Sequence, residues 1–140
     1  MNRLKNIKVS IIVPVYNEES IIEGQLRRLF AVTDDGTEVI AVDGGSTDKT
    51  ACIIEALKGV TLLRSPRKRR AFQMNYGASF AEGNLLLFLH ADAALPAGWK
   101  SEIISAMENG FVAGGFRIRC GKHEALSRSQ KFFAFLSGIR

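Results

Sequence analysis

Cysteine is scarce in this chain of 140 residues: there are two, Cys52 and Cys120, and neither has a CxxC partner or a metal-type spacing. They read as buried free thiols rather than as a metal-binding set. Long apolar runs are missing too. No stretch approaches the roughly 20 residues that span a bilayer, so no transmembrane segment is expected. The opening "MNRLKNIKVS" carries charge but no apolar segment before a cleavage site, which leaves no secretory signal and points to the cytoplasm. Neither a Walker A loop nor GxGxxG occurs, so nucleotide triphosphatases and dinucleotide dehydrogenases both lack their defining element. There is no internal repeat, low-complexity tract or linker, and residues 1–140 read as a single domain with one core. At 46% apolar and 24% charged residues, the composition is that of an ordinary soluble globular protein.

What is present is alternation. "KVSIIVPV" (8–15), "EVIAV" (38–42), "VTLLR" (60–64) and "LLLFL" (85–89) are short apolar runs rich in β-branched or bulky residues. Strands buried on both faces look like this. Between them lie helical patterns. Ile21, Ile22, Leu26, Leu29 and Phe30 follow Asn17, and Ser46 or Thr47 can cap a helix carrying Ala51, Ile54 and Leu57. Ala71, Met74, Ala78 and Ala81 form a stripe of small residues, and Pro96 precedes Trp99, Ile103, Ile104 and Met107. "GFVAGGFRIRC" alternates as a fifth strand, and "EALSRSQKFFAFLSG" reads as a last helix. The expectation is an α/β fold: Rossmann-like, a mostly parallel sheet with helices on both faces.

Ligands of such folds sit at the carboxyl ends of the strands, and the chemically interesting residues follow the strands here. After the first comes "PVYNEE", with an aromatic face on Tyr16 and carboxylates on Glu18 and Glu19; the plainer reading is a turn in which Asn17 caps the helix. After the second comes "VDGGSTDKT", where Asp43 ends the strand and Gly44-Gly45 permit a tight turn. Asp43 there argues for contact with the sugar or base of a nucleotide. After the third comes "RSPRKRR" (64–70), five of the nineteen basic residues behind the net charge of +5. The run lacks aromatic interleaving and any nucleic-acid motif. Arg70 opens a helix, where cation and dipole repel, so an anion between them is the better explanation; Arg67, Lys68 and Arg69 read as solvated. After the fourth come His90 and Asp92. In extended backbone, residues two apart share one side, and an imidazole with a carboxylate suits Mn²⁺ or Mg²⁺. Taken singly, His90 reads as a packed core histidine and Asp92 as a turn residue; four strand ends in order outweigh that.

As a set, "SIIVPVYNEE", "VDGGSTDKT", "RRAFQMNYGA" and "LLLFLHADAALP" resemble the successive signatures of the family 2 glycosyltransferases, with their nucleotide-sugar-binding GT-A fold. "GGFRIR" resembles the strand that follows, and the likeness runs from about Lys8 to Arg119. His90-Ala91-Asp92 is similar to the bacterial branch of arsenosugar-biosynthesis-type glycosyltransferases, where His-Ala-Asp replaces Asp-X-Asp. The resemblance implies transfer of a sugar from a nucleotide-diphosphate sugar to an unknown acceptor, with inversion. It implies that Pro14, Tyr16 and Glu18 line the base and ribose pocket, with Tyr16 against the base. Asp43 would contact the nucleoside, Arg70 the diphosphate and Ala91 the donor, while Asp92 and His90 would hold a divalent cation, Mn²⁺ or Mg²⁺. Many relatives have two acids where Asp43-Gly44 stands here, Arg69 replaces a common glycine, and His90 lowers the negative charge offered to a hard cation. Members continue into an acceptor half that supplies the catalytic base, so the resemblance implies a C-terminally truncated donor half, its base expected beyond Arg140 and its transfer activity doubtful alone. Truncation would leave "KFFAFL" (131–136) uncovered, with self-association expected and peripheral membrane contact as the alternative. Rival classes are a sugar nucleotidyltransferase, which wants a Gly-rich loop that "PVYNEES" lacks, and a non-catalytic basic module binding nucleotide or nucleic acid.

Overall fold

The run "VSIIVPV" forms strand β1 (Val9–Val15), buried along its whole length. Successive side chains of a strand face opposite sides, so a strand buried at every position needs cover on both faces. The computed structural model, which describes residues 7–116 and 135–137, supplies both. Val9, Ile11, Val13 and Val15 join Val39, Ala41, Leu85 and Leu87 in one cluster, covered by Ile22, Leu26 and Leu29, by Ile54, and by Trp99 and Ile103. Ile12 joins Ile40 and Val42 in a second cluster, closed by Ala81 and half-buried Tyr76 and Ala78.

These side chains come from α1 (Ile22–Phe30), β2 (Thr37–Asp43), α2 (Thr50–Ala56), α3 (Arg70–Phe80), β4 (Leu85–Phe88) and α4 (Trp99–Glu108). With β3 (Val60–Arg64), β5 (Ala113–Gly114) and β6 (Phe135–Ser137), the sheet runs β3-β2-β1-β4-β6-β5. The first four strands are parallel, in the register Ile11↔Val39 and Ile11↔Leu87 through the centre. β6 runs antiparallel to both its neighbours. The fold is thus α/β and Rossmann-like, with α3 on one face and α1, α2 and α4 on the other. No helix among the described residues is long and apolar enough to cross a membrane.

Several local expectations change. The inward stripe of α3 is Gln73 and Gly77, continued by Ala81, while Ala71 is exposed. Gly77 lets the helix lie close: a Cβ there would meet Ile12 Cγ2 at 2.7 Å and Val42 Cγ2 at 2.8 Å. Both are stiff β-branched methyls, so Gly77→Val is expected to cost about 1–3 kcal/mol by overpacking, read as a lower urea midpoint. Residues 135–137 are strand rather than helix, because their backbone pairs with β4 and β5. Cys52 is exposed on α2, not buried, because Ala51 and Ile54 take the inward positions. Cys120, Arg117–Arg119 and residues 131–134 of the "KFFAFL" stretch lie outside the described residues.

Candidate functional site

The strand order reverses between β1 and β4, and in open α/β sheets that is where ligands lie, beyond the carboxyl ends. The pairing of β1 with β4 stops at Ile12↔Phe88, with one further bond from Leu89 N to Ile12 O at 2.9 Å. Two residues on, Pro14 presents to the same side a nitrogen that has no hydrogen to donate. A proline is tolerated in this central strand because the sheet has already opened there. Pairing with β2 continues to Val15↔Asp43. The crevice between the two strand ends is lined by the loops after β1 and β4.

The loops after β1 and β2 are locked together. Asn17, with φ of 50°, donates its amide to Ser46 Oγ (2.9 Å) and accepts at Oδ1 from Thr47 N (2.8 Å). Asparagine tolerates this left-handed backbone better than most residues. Glu18 N donates to Thr50 Oγ1, Glu19 N to Asp48 Oδ2, and Lys49 N to Glu19 Oε2. The expected caps are therefore displaced. Asn17 does not cap α1, whose N-cap position is Ile21. Ser46 and Thr47 are committed to the cross-loop lattice, so α2 starts only at Thr50. Of the two candidate acids, Glu19 is taken by Lys49 N, and the half-buried Glu18 carboxylate has no partner among the described residues.

Asp43 is 2% exposed and accepts from Gly45 N, Ser46 N and the Ser46 hydroxyl. In the structure the carboxylate serves its own loop, whose turn uses Gly45 at φ of 90°. The basic segment is joined to it, since Ser65 N donates to Asp43 O at 2.8 Å. Within that segment Arg64 pairs with Glu55 (2.6 Å) and Arg67 lies over Phe72. Lys68 places its ammonium 3.5 Å from the Tyr16 ring centroid, a cation–π contact rather than the solvated side chain expected. Arg70 is exposed at the first residue of α3, with no acid beside it among the described residues.

Sequence reasoning missed Gln73. It is 4% exposed on the inward face of α3, and its Nε2 donates to Val15 O at 2.9 Å and Val42 O at 2.7 Å. The available signal was a polar residue at the spacing of Gly77 and Ala81.

His90 and Asp92 are not in extended backbone. Ala93 N donates to His90 O at 3.0 Å, closing a turn over Ala91 and Asp92. The same-side argument from strand geometry therefore does not apply to them. The turn is held from below instead: Ala91, Leu95 and Trp99 are buried in the core, four residues apart. Ala91 thus turns its side chain inward and can meet a ligand only through its backbone, while His90 is half-buried and Asp92 exposed. Among the described residues no three His, Cys, Asp or Glu side chains group as a metal cage. One imidazole and one carboxylate fit a divalent cation that completes its shell with substrate phosphates and water.

Two carboxylates, Asp48 in the loop after β2 and Asp34 in the loop before β2, sit below their ordinary value of 3.8. For Asp48, partial burial pushes upward, but hydrogen bonds from the Thr50 hydroxyl and amide and from the Glu19 amide outweigh it. For Asp34 the hydrogen bond from Lys100 dominates; partial burial opposes it, and Thr37 and Gly36 assist. A lowered native value means stability that is full above the unfolded value and lost as pH falls through the native one. Urea midpoints are expected to be flat from pH 7 to about 5 and to fall below about pH 4. Asp48→Asn should make that fall shallower.

The model of glycosyl transferase family 2 matches residues 10–139. An undecaprenyl-phosphate 4-deoxy-4-formamido-L-arabinose transferase of Shewanella sediminis is 31% identical over 131 residues, 86% of this chain and 39% of its own. An uncharacterized glycosyltransferase of Bacillus subtilis, YkcC, is 31% identical over 96% of this chain and 45% of its own. The chain thus spans less than half the length of these curated relatives. Among solved structures, a mannosyltransferase of Pyrobaculum calidifontis in complex with GDP-Man and Mn²⁺ superposes with a TM-score of 0.63 at 29% identity, over 73% of this chain and 32% of that one. S. aureus TarS 1-349 shares the fold, with a TM-score of 0.73 at 23% identity over 88% of this chain and 39% of that one.

Proposed function

We propose that this chain, which belongs to glycosyl transferase family 2, binds a nucleotide-diphosphate sugar across the carboxyl ends of β1, β2 and β4 and forms the donor side of an inverting transfer site. The observation that carries this reading is the crevice at the β1/β4 reversal. Tyr16 and Glu18 follow β1, the His90–Ala93 turn follows β4, and Arg70 opens the helix that covers the sheet beside them. GDP-Man and Mn²⁺ in the mannosyltransferase neighbour support the same reading.

Tyr16 gives the base a flat face, and Lys68 is displaced from that ring or sandwiches the base against it. Glu18 accepts from ribose hydroxyls. Asp43 acts through the loop it shapes. Arg70 and the amides opening α3 meet the diphosphate, charge against charge and against the positive end of the helix. Asp92 and His90 would hold a divalent cation, which would supply positive charge to balance the departing nucleoside diphosphate. In the transfer, the bond from the sugar anomeric carbon to the diphosphate oxygen breaks as the acceptor oxygen bonds from the opposite face. The acceptor proton passes to a base on the acceptor side of the site. Within the family, His90-Ala91-Asp92 favours the arsenosugar-type branch. Cys52, exposed and free, fits a reducing, cytoplasmic setting.

Calorimetric titration with UDP and with GDP, each with and without Mn²⁺, tests the reading. Metal-dependent binding of at least one is expected. No response to either, together with salt-sensitive binding to duplex DNA, would replace this function with that of a basic nucleic-acid module.

A further inference from the structure

Among the described residues α3 is alone on its face of the sheet, and its outermost row, Ala71, Asn75 and Ser79, is exposed. Beside that row stand Phe72, Tyr76 and Phe80, one ring per helical turn along about 12 Å. Phe72 and Tyr76 stack with 6.1 Å between centroids, and Tyr76 meets Phe80 edge-on at 5.1 Å. Phe72 and Tyr76 are half-buried, whereas Phe80 is 53% exposed. The inner cluster is closed by the next residue, Ala81, so the core does not account for a phenylalanine there.

The charge around this row has one sign. Residues 65–81 carry Arg67, Lys68, Arg69 and Arg70 and no acid, and all four cations are exposed. The nearest acids along the chain, Glu55 and Glu82, are paired with Arg64 at 2.6 Å and with Lys8 at 2.7 Å. Lys68 and Arg70 belong to the donor reading above. Arg67 instead lies over Phe72, 5.2 Å from its centroid, so the positive charge and the aromatic row form one surface. Phe111 and Val112, also exposed, differ in this respect. They follow Glu108, and residues 104–115 hold no cation.

We propose that the basic, aromatic flank of α3 docks this protein on an anionic lipid surface. Aromatic rings sit favourably at the depth of lipid headgroups, and each arginine near anionic lipid is worth about fivefold in binding. Nucleic acid would satisfy the cations, but unpaired bases stack on rings that offer a free face. Phe72 and Tyr76 cover each other's faces. A second copy of the chain would bring the same positive charge against itself.

The test is co-sedimentation of the whole chain with vesicles of phosphatidylcholine alone and of phosphatidylcholine mixed with phosphatidylglycerol. No nucleotide is present, so the result stands apart from the donor reading. Binding to the mixed vesicles is expected to be at least about tenfold tighter than to the neutral ones. Arg67→Gln with Arg69→Gln is expected to remove about tenfold or more of that affinity, and Phe80→Ser about fivefold. Phe80→Trp should keep it and Phe111→Ser should leave it unchanged, with the fold of each variant checked by circular dichroism. Binding to neither vesicle, equal binding to both, or binding that survives the arginine and Phe80→Ser changes would overturn the proposal. So would an equal loss in Phe111→Ser. Without vesicle binding, duplex DNA held through Arg67 and Arg69 would assign the surface to nucleic acid, and a dimer dissolved by Phe80→Ser would assign it to a second copy; either result overturns the proposal.

Discussion

Asp92→Ala is expected to remove Mn²⁺-dependent nucleotide binding, weakening it by about 100-fold or more, while leaving the urea midpoint almost unchanged. Among the described residues no third His, Cys, Asp or Glu joins the pair at this turn, and Asp92 carries the only formal charge of the two. Divalent cations of this type rely on one or two carboxylates plus substrate phosphates, so losing that carboxylate removes most of what the protein contributes. Asp92 is exposed on a turn, and substitutions at such positions shift stability by about 0.5 kcal/mol or less. Calorimetry with and without Mn²⁺, run beside urea unfolding, separates the two quantities. Unfolding without a change in affinity per folded molecule would make Asp92 a structural turn residue. His90→Ala should be milder in metal dependence, since imidazole adds a ligand but no charge.

The largest stability effect is expected at Trp99. Its side chain is 1% exposed and Nε1 donates to Val32 O at 2.8 Å, tying α4 to the loop after α1. Trp99→Ala removes the largest fully buried side chain among the described residues and leaves that carbonyl without its donor. Losses of about 3–5 kcal/mol are usual for such truncations, a large share of the 5–15 kcal/mol that holds a typical domain together. The consequence reaches the site, because Trp99 ends the series Ala91, Leu95, Trp99 that pins the His90–Asp92 turn to the core. Trp99→Phe keeps most of the volume and loses the hydrogen bond, with an expected cost of about 1–2 kcal/mol. A lower urea midpoint at constant slope is the expected signature.

The strands were legible because a parallel sheet covered on both faces imposes continuous apolar runs, and "SIIVPV", "EVIAV" and "LLLF" have little else they can become. The ends of the strands were legible for a related reason: polar, glycine-rich segments directly after such runs have no place in the core. Interactions between elements distant in sequence were not. Asn17 and Ser46 look like helix caps in isolation, and each is drawn off by the other's loop, 29 residues away. Gln73 reaches carbonyls 58 and 31 residues away, which no local pattern encodes. Residues 135–137 read as helix because periodicity is silent about an unfilled position between β4 and β5. The turn at His90 was read as strand because the apolar run gives no sign of where pairing with β1 stops.

The placement of the donor site is tested most directly by paramagnetic broadening of backbone amides on adding Mn²⁺ with UDP or GDP. Signals from residues 90–93 are expected to vanish first, followed by those of Tyr16–Glu18, Gly44–Ser46 and Arg70. Broadening centred instead on Glu38, Glu82 and Gly83, at the amino ends of the same parallel strands, would contradict it.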